Sequence, residues 1–240
     1  MGGESLMENT VVVGFGYKAR SGKDESCKAI LEARTPQFEI RKYAFADELK
    51  REINEAAEAA GGMLELFKQG CPYRGSEVMF PSWVMYDPNP DMTDMLCPLG
   101  KQRLLQQWWG TEYRRAQDPN YWVNKLRDII EAEKPAVALI SDLRFPNEVS
   151  WIKSSIDNCV VRVDRLGYKS TTPDHPSEHA LDFMDDGDWH YIIQVPDGDL
   201  EELQRDAVVV FDLIIQSLTP PDLNDVTHVE AGQVIKALAS

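Results

Sequence analysis

The chain has 240 residues, of which 43% are hydrophobic, so it is long and apolar enough for an α/β domain with a sizeable core. Its net charge of −15 argues against direct binding to nucleic acid or to an anionic membrane. No apolar run reaches the roughly 18 residues of a membrane span, no signal-peptide pattern is present, and the four cysteines are scattered without metal-binding spacing. These features predict a cytoplasmic protein with reduced thiols.

The first predicted elements are a strand, a glycine-containing loop and a helix. The apolar run Val11–Val13 leads to Gly14 and Gly16, and Gly22 and Lys23 open a segment with helical spacing. Backbone N–H groups of such a loop, together with the positive end of the helix, form a cradle for anions. A lysine in this position can follow a phosphate group during transfer, so the segment predicts a phosphate-binding loop.

The loop departs from the Walker pattern G-x-x-x-x-G-K-[ST] at two positions. Gly16 lies one residue early, and Asp24 stands where serine or threonine is usual. One alternative is a turn that binds no ligand. The other is a dinucleotide-binding loop, because residues 14–19 fit the pattern G-x-G-x-x-A. The dinucleotide pattern expects an acidic residue about 20 positions later, and the nearest at a strand end, Asp47, comes late. It also leaves the basic residues of the loop unexplained, so the sequence favours a phosphate loop.

The segment 38–133 is predicted to hold one strand, three helices and an irregular region. Residues 38–45 read as a strand and residues 47–60 as a helix that Gly61 and Gly62 interrupt. The proline-containing region 61–98 is predicted to be an irregular insertion that covers the substrate. Another helix is expected over 99–109 and is predicted to end at Gly110 and Thr111. Asp118, followed by proline, predicts the start of a helix with an apolar stripe.

From residue 136 onward, strands and helices alternate again. Strands are predicted at 136–141, 160–163 and 191–195, a short helix after Pro146, and a helix capped by Asp199 that runs to about residue 218. The polar segment 166–188 is predicted to be a lid or binding loop, and 219–240 a tail. This alternation predicts one α/β domain over residues 1–218, with a parallel sheet that binds its ligand at the carboxyl ends of the strands.

Two further groups of residues carry chemistry. Arg103 and Gln106 lie three apart on one predicted helix face, and Arg115 follows. Guanidinium groups bind phosphate in a bidentate manner, whereas glutamine and a tryptophan face suit a nucleobase. Trp122 begins an apolar stripe, so packing in the core is the alternative favoured for it.

The second group follows the predicted strand 136–141. Asp142 comes directly after that strand, at a position where P-loop enzymes hold a carboxylate that organises a metal ion, and Arg144 follows two residues later. The alternative is a helix cap at Asp142 and a solvated arginine at the surface. Position at a strand end favours a functional role for both residues.

Five segments in sequence order resemble bacteriophage deoxynucleoside monophosphate kinases, which are P-loop kinases. They are Lys18–Asp24, Tyr43–Lys50, Leu105–Glu112 leading into Tyr121–Val123, Ser141–Glu148 and His175–Glu178. The resemblance runs from about residue 11 to 218 and leaves out the region 61–98 and the tail. Asp after the loop lysine is a trait of the family. Glu25 departs from it, because the family usually has threonine there, which leaves Ser21 or Ser26 as candidate hydroxyl ligands.

The resemblance implies a P-loop NTPase-type sheet and transfer of the γ-phosphoryl group of ATP to a deoxynucleoside monophosphate (dNMP), with Mg²⁺, in the host cytoplasm. The catalytic residues would be Lys23, Arg20, Asp142 and Arg144. ATP would be bound by Ala19, Arg20, Ser21, Gly22, Lys23, Asp24, Glu25 and a lid arginine, Arg165. The dNMP would be bound by Asp47, Lys50, Arg103, Gln106, Gly110, Thr111, Arg115, Trp122 and Arg144.

Three further expectations accompany this assignment. Mg²⁺ would be held by Asp142, directly or through water, and by Asp24. His175 and Glu178 would order the loop 166–188. The partners would be nucleotides alone, with a homodimer left open. Two rival functions are a kinase for another small phosphate-bearing acceptor, such as dephospho-coenzyme A, and a nucleotide-sensing module without turnover.

Overall fold

The computed structural model describes residues 10–33, 39–73, 76–80, 103–168 and 176–218. The chain divides into two compact units, one formed by Met1–Ala44 with Asp128–Ser240 and the other by Phe45–Arg127. The first unit holds the sheet, and the second is mainly helical. The expectation of one domain over 1–218 stays a prediction.

The described strands are β1 (Val11–Gly16), β2 (Ile40–Tyr43), β3 (Cys71–Tyr73), β4 (Ser76–Val78), β5 (Val137–Leu143), β6 (Cys159–Leu166) and β7 (Tyr191–Pro196). The described α-helices are α1 (Lys23–Ala33), α2 (Phe45–Ala60), α3 (Met63–Gln69), α4 (Arg103–Gln107), α5 (Tyr121–Glu133), α6 (Pro146–Ile152), α7 (Pro176–His179) and α8 (Leu200–Leu218). A π-helix spans Trp108–Arg115, and a 3₁₀ turn spans Asp186–Asp188.

Five strands of the first unit form a parallel sheet in the order β2-β5-β1-β6-β7. The predicted α/β class is therefore confirmed. After β1, the chain forms β2 and β5 on one side of β1. It then crosses over and forms β6 and β7 on the other side of β1. This reversal makes the carboxyl end of β1 the topological switch point, where open α/β sheets bind their ligands. Strand β1 pairs with β5, the strand that carries Asp142 near its carboxyl end.

Alternation along β1 explains how the sheet is covered. Val11, Val13 and Phe15 pack in a core that includes side chains from α1 and α8. Gly14 lies on the other face, where an added Cβ would approach Ile152 of α6 to 2.5 Å. Period-two alternation thus gives each face its own helices. This packing on both faces fixes the position of the loop that follows β1.

The second unit contains regular elements where the sequence predicted an irregular region. Gly61 and Gly62 end α2 with φ values of 91° and 128°, as expected. Helix α3 and the antiparallel pair β3–β4 then follow within the region 61–98. Leu66, 2% exposed, anchors α3 in the core of this unit. Residues 81–98 lie outside the described part of the chain.

The predicted end of a helix at Gly110 and Thr111 is wrong, because the backbone continues as a π-helix to Arg115. Gly110 instead serves packing, since an added Cβ would lie 3.3 Å from Leu49 Cδ2. Its carbonyl oxygen accepts a hydrogen bond of 3.0 Å from the indole Nε1 of Trp122. π-helical segments are rare and often occur at functional sites.

The predicted loop 166–188 is partly structured. Strand β6 extends to Leu166, so Arg165 belongs to the sheet, and α7 and the 3₁₀ turn lie farther along. His175 falls in 169–175, outside the described residues, as does the tail 219–240. Among the helices that the structure describes, none is long and apolar enough to cross a membrane.

Candidate active site

In the loop from β1 to α1, Tyr17 has a left-handed backbone conformation, which favours glycine. Tyr17 has a φ of 97°, whereas Gly16 does not have a positive φ. Counting back from Lys23, the Walker spacing places its first glycine at position 17, so Tyr17 holds the glycine conformation. This conformation costs a side-chain-bearing residue roughly 1–3 kcal/mol. The Arg162 guanidinium lies 4.3 Å from the centroid of the Tyr17 ring, a cation–π contact that offsets part of this strain.

The side chain of Lys23 bends back and forms hydrogen bonds with the loop that precedes it. The residue is 5% exposed, and its Nζ donates hydrogen bonds to the carbonyl oxygens of Tyr17 and Lys18 and to Ser21 Oγ at 3.2 Å. Burial lowers the pKa of Lys23 to about 7, and the nearby Arg144 guanidinium acts in the same direction. A bound anion would act to raise this pKa again, because it stabilises the charged form of the lysine.

This pKa shift predicts a pH-dependent stability. Since folding lowers the pKa of Lys23 from 10.5 to about 7, the unfolded chain binds the extra proton between these pH values. The free energy of unfolding should therefore gain a contribution that rises with pH from about 7 to 10.5. Urea unfolding of wild type and Lys23→Met at pH 7, 8 and 9 measures it. We expect the wild type to gain stability relative to the variant as pH rises; parallel pH profiles would contradict the shift.

Asp24 is held by residues from two strands. Its Oδ1 accepts hydrogen bonds from Lys42 Nζ of β2 at 2.7 Å and from Ser141 Oγ of β5 at 2.9 Å. Burial opposes ionisation, but these hydrogen bonds hold the pKa of Asp24 below its usual value. Asp24 is therefore ionised near neutral pH, as a metal ligand must be. Sequence reasoning predicted Asp24 but missed Lys42 and Ser141.

A cleft of about 370 Å³ collects most of the residues predicted for ATP and catalysis. Its lining includes Asp142 and Arg144 at the carboxyl end of β5 and Arg165 of β6. It also includes the loop and α1 residues Arg20, Ser21, Gly22, Lys23, Asp24 and Glu25. Ala19 lies at a separate pocket, together with Tyr17 and Lys18. The structure thus brings together predicted residues up to 145 positions apart in sequence, from Arg20 to Arg165.

The wall of the cleft after β7 was missed by sequence reasoning. It consists of Val195, Pro196, Gly198, Asp199, Leu200 and Leu203. An added Cβ on Gly22 would lie 2.4 Å from Leu203 Cδ2, so the loop packs directly against α8. The signal for this wall was available, because a turn after the predicted strand 191–195 must lie at the carboxyl edge of the sheet.

Arg165 of β6 contacts the loop between β1 and α1. Its Nη1 donates to the carbonyl oxygen of Arg20 at 3.2 Å, and its guanidinium forms an ion pair with Asp197. Arg165 lies near the end of β6, which fixes its backbone at the point where the segment 166–188 begins. Its predicted contact with ATP stays a prediction.

Arg144 is engaged inside the site. Its Nη1 lies 2.8 Å from Glu178 Oε1, and its backbone N–H donates to Glu148 Oε2 at 2.7 Å. Glu178 also accepts a hydrogen bond of 3.1 Å from the Ala19 N–H. The alternative of a solvated Arg144 at the surface is therefore wrong. These contacts of Glu178 connect α7 to the loop between β1 and α1 and to Arg144, beyond the loop-ordering role that was predicted.

The residues fit a magnesium ion bound together with phosphates. Among the described residues, no group of three or more metal-ligating side chains occurs. Mg²⁺ is commonly bound by one or two carboxylates, with substrate phosphates and water completing its octahedron. Asp24 and Asp142 both line the cleft, so two carboxylates are available there for such an ion.

The residues predicted for the acceptor lie in or beside the second unit, apart from Arg144. Asp47 and Lys50 pair with each other on α2, with their charged groups 3.0 Å apart. Arg115 Nη1 donates to the carbonyl oxygen of Pro119 at 3.5 Å. Gln106 and Thr111 are half-buried, whereas the side chain of Arg103 lies outside what the structure describes.

Trp122 is a core residue in this structure. It is 2% exposed, and Gly110 accepts its indole hydrogen bond. A ring without an exposed face gives no platform for a base, so the predicted stacking role of Trp122 has no structural support. The alternative of core packing fits its apolar stripe on α5.

Glu52 of α2 organises the second unit and was missed by sequence reasoning. It is 7% exposed, and its carboxylate accepts hydrogen bonds from four donors: Trp109 Nε1 at 2.9 Å, Arg114 Nε at 2.5 Å, Tyr121 OH at 2.5 Å and Lys125 Nζ at 2.7 Å. Burial acts to raise its pKa, but these four donors outweigh burial and hold the pKa at about 2. The available signal was a glutamate beside Ile53 on the buried face of a helix.

We expect Glu52→Ala to destabilise the protein by about 3–5 kcal/mol, because Arg114 and Lys125 would lose the carboxylate that compensates them in a buried site. Urea unfolding at pH 7 measures the change. Glu55→Ala is the matched control, since Glu55 lies one turn away on the same helix and its ion pair with Arg51 is exposed. Equal stability losses for the two variants would contradict the role given to Glu52.

No protein-family model matches the chain, and no curated protein matches it in sequence. The comparisons therefore assign no family to the chain.

Proposed function

We propose that the protein is an ATP-dependent kinase that transfers the γ-phosphoryl group of ATP to a dNMP, giving the diphosphate used for dNTP supply. The observation that carries this proposal is the cleft at the carboxyl end of β1 and β5. Lys23, Arg20, Arg144 and Arg165 bring four cationic side chains to it. A phosphoryl-transfer site needs such positioned cations, because both reactants are polyanions.

The step needs no dedicated base, since the acceptor phosphate is already an anionic nucleophile near neutral pH. An oxygen of the dNMP phosphate forms a bond to the γ-phosphorus of ATP. The bond between that phosphorus and the β–γ bridging oxygen breaks, and ADP leaves with the electron pair. Lys23 is assigned to the transferred group, and holding two anions in line lowers the barrier.

Asp142 and Asp24 are assigned to Mg²⁺, directly or through water. The ion, when bound, neutralises charge on the phosphate oxygens. Ser141 and Lys42 keep the Asp24 carboxylate ionised and oriented. Since Glu25 replaces the hydroxyl residue usual at its position, the Ser141 hydroxyl beside Asp24 is a further candidate ligand.

The donor base is assigned to the wall after β7. The exposed side chains of Pro196 and Leu200 give the cleft an apolar surface beside the phosphate loop. A nucleotide has polyanionic phosphates at one end and a flat apolar base at the other. The cleft has cationic side chains that suit the phosphates and an apolar wall that suits the base. This arrangement favours a nucleotide over inorganic phosphate as the ligand.

The test is a coupled assay for ADP with the purified protein, MgATP and one acceptor at a time. The acceptors are the four dNMPs, dUMP, the ribonucleotides and dephospho-coenzyme A. Release of ADP only with a dNMP supports the proposal. Release only with dephospho-coenzyme A favours the rival kinase, and tight ATP binding without turnover favours the nucleotide-sensing module.

Replacing Arg103 or Arg115 by Ala should raise the KM for the dNMP at least tenfold while changing the KM for ATP by less than twofold. Each side chain is assigned to the acceptor phosphate alone, and a charge-assisted hydrogen bond contributes about 1.5–3 kcal/mol. Steady-state kinetics with each substrate varied in turn measures both constants. Arg127→Ala is the control from the neighbouring helix; a fall in ATP affinity in the Arg103 or Arg115 variants would reverse the assignment of the two sites.

A further inference from the structure

Glu178 touches two parts of the candidate site at the same time. Its Oε2 accepts the hydrogen bond from the Ala19 backbone N–H at 3.1 Å, and its Oε1 lies 2.8 Å from Arg144 Nη1. The side chain is 8% exposed, so both contacts are shielded from water. One carboxylate therefore sets the separation between the phosphate loop and the guanidinium of Arg144.

The segment that carries Glu178 has attachments of its own. Lys18 Nζ donates to the carbonyl oxygen of Glu178 at 2.9 Å and forms an ion pair with Asp182. Neither contact uses the Glu178 carboxylate. Changing that carboxylate alone should leave residues 176–182 docked on the loop, so its contribution can be measured separately.

The carboxylate also balances charge. Arg144 acts to lower the pKa of the buried Lys23, and Glu178 acts to raise it. Two cations brought close together repel each other, and a buried carboxylate beside them reduces that cost. Glu178 thus stabilises the arrangement in which Arg144 stands near the phosphate loop.

Arg144 retains donors for a ligand. A guanidinium group has five N–H bonds, and the contact with Glu178 uses one nitrogen, Nη1. Arg144 is also among the residues that line the cleft. It can therefore bind Glu178 and a phosphate oxygen together, and Glu178 need not leave when a nucleotide binds.

We propose that Glu178 is a positioning residue, which holds Arg144 and the phosphate-loop backbone in the arrangement that binds the transferred phosphoryl group. This inference rests on the proposed kinase function and extends it to a residue that acts through Arg144. In the opposite role, the Glu178 carboxylate would occupy the place of a phosphate group, and removing its charge would strengthen nucleotide binding instead of weakening it.

The experiment is a double-mutant cycle with Glu178→Gln, Arg144→Ala and the combined variant. Glutamine keeps the size of the side chain and removes its charge. We expect Glu178→Gln to lower kcat tenfold or more and to weaken binding of Mg·AMP-PNP by isothermal titration calorimetry. The combined variant should be within twofold of Arg144→Ala alone, because glutamine keeps a carbonyl oxygen for the Ala19 N–H and the lost charge acts through Arg144. Asp182→Asn, which breaks an ion pair of the same segment without touching Arg144, should keep wild-type values.

Several results would overturn the inference. Additive losses in the combined variant would show that Glu178 does not act through Arg144, and tighter AMP-PNP binding by Glu178→Gln would show that it occupies the ligand's place. If Glu178→Gln does not fold, Glu178→Asp keeps the charge and should lose kcat with a normal melting temperature; unchanged kcat would contradict positioning.

The two proposals can fail separately. A coupled cycle in AMP-PNP binding, without ADP release for any acceptor, would refute the kinase function and leave the positioning role standing. ADP release together with an additive cycle would support the kinase function and refute the positioning role. Absence of AMP-PNP binding by the wild type would refute both proposals.

Discussion

Lys23→Ala should reduce turnover by roughly 10² or more while the protein remains folded, because a lost contact to charge that develops in the transition state costs a few kcal/mol. The structure adds a reason to expect folding. The lysine is buried with its pKa lowered to about 7, so its removal takes a poorly solvated cation out of the core at neutral pH. The coupled ADP assay measures turnover, and thermal unfolding at pH 7 measures stability.

The matched control for this variant is Lys28→Ala. Lys28 lies on the same helix, but its side chain is 60% exposed and faces Glu32 across 3.8 Å. We expect Lys28→Ala to keep near-native turnover. A Lys23→Ala enzyme with near-native turnover would remove the phosphate-loop assignment, and a parallel loss in both variants would point to a general effect on α1.

The sheet was predictable because its signals are local and strong. Val11–Val13 and residues 136–141 are apolar runs of strand length, and Asp199 at the start of α8 accepts the hydrogen bond from the Glu202 N–H at 2.9 Å that its capping pattern predicts. Strand ends in a parallel sheet meet at one edge, so the clustering of Asp142 with the phosphate loop followed from order alone.

The parts that were missed depend on contacts distant in sequence. No local pattern indicates that Tyr17 takes a φ of 97°, since that conformation is disfavoured for a residue with a Cβ. The contact between Glu178 and Ala19 joins residues 159 positions apart. Glycine is typical of a helix end, yet Gly110 packs against Leu49 and the backbone there remains helical. In each case, tertiary packing overrides a local preference.

Asp142→Asn should fold with an unchanged melting temperature, lose turnover about tenfold or more, and need a higher Mg²⁺ concentration for half-maximal rate. Asparagine keeps the shape of the side chain but removes the negative charge that attracts the ion. The structure places Asp142 at the end of β5, on the cleft that also contains Asp24 and Lys23. Asp142 and Arg144, two residues apart, both line this cleft, so carboxylate and guanidinium could serve metal and phosphate together.

The alternative is a structural carboxylate that only supports Arg144. Arg144 already has an ion pair with Glu178 at 2.8 Å, which reduces its need for Asp142. The two roles predict different results for Asp142→Asn. If Asp142 is structural, the variant should have a lower melting temperature, and the fraction that remains folded should have normal turnover. Mg²⁺ titrations of wild type, Asp142→Asn and the exposed control Asp157→Asn, with Mn²⁺ binding followed by electron paramagnetic resonance in the presence of AMP-PNP, separate them. Unchanged metal affinity together with full activity in Asp142→Asn would exclude Asp142 from the site.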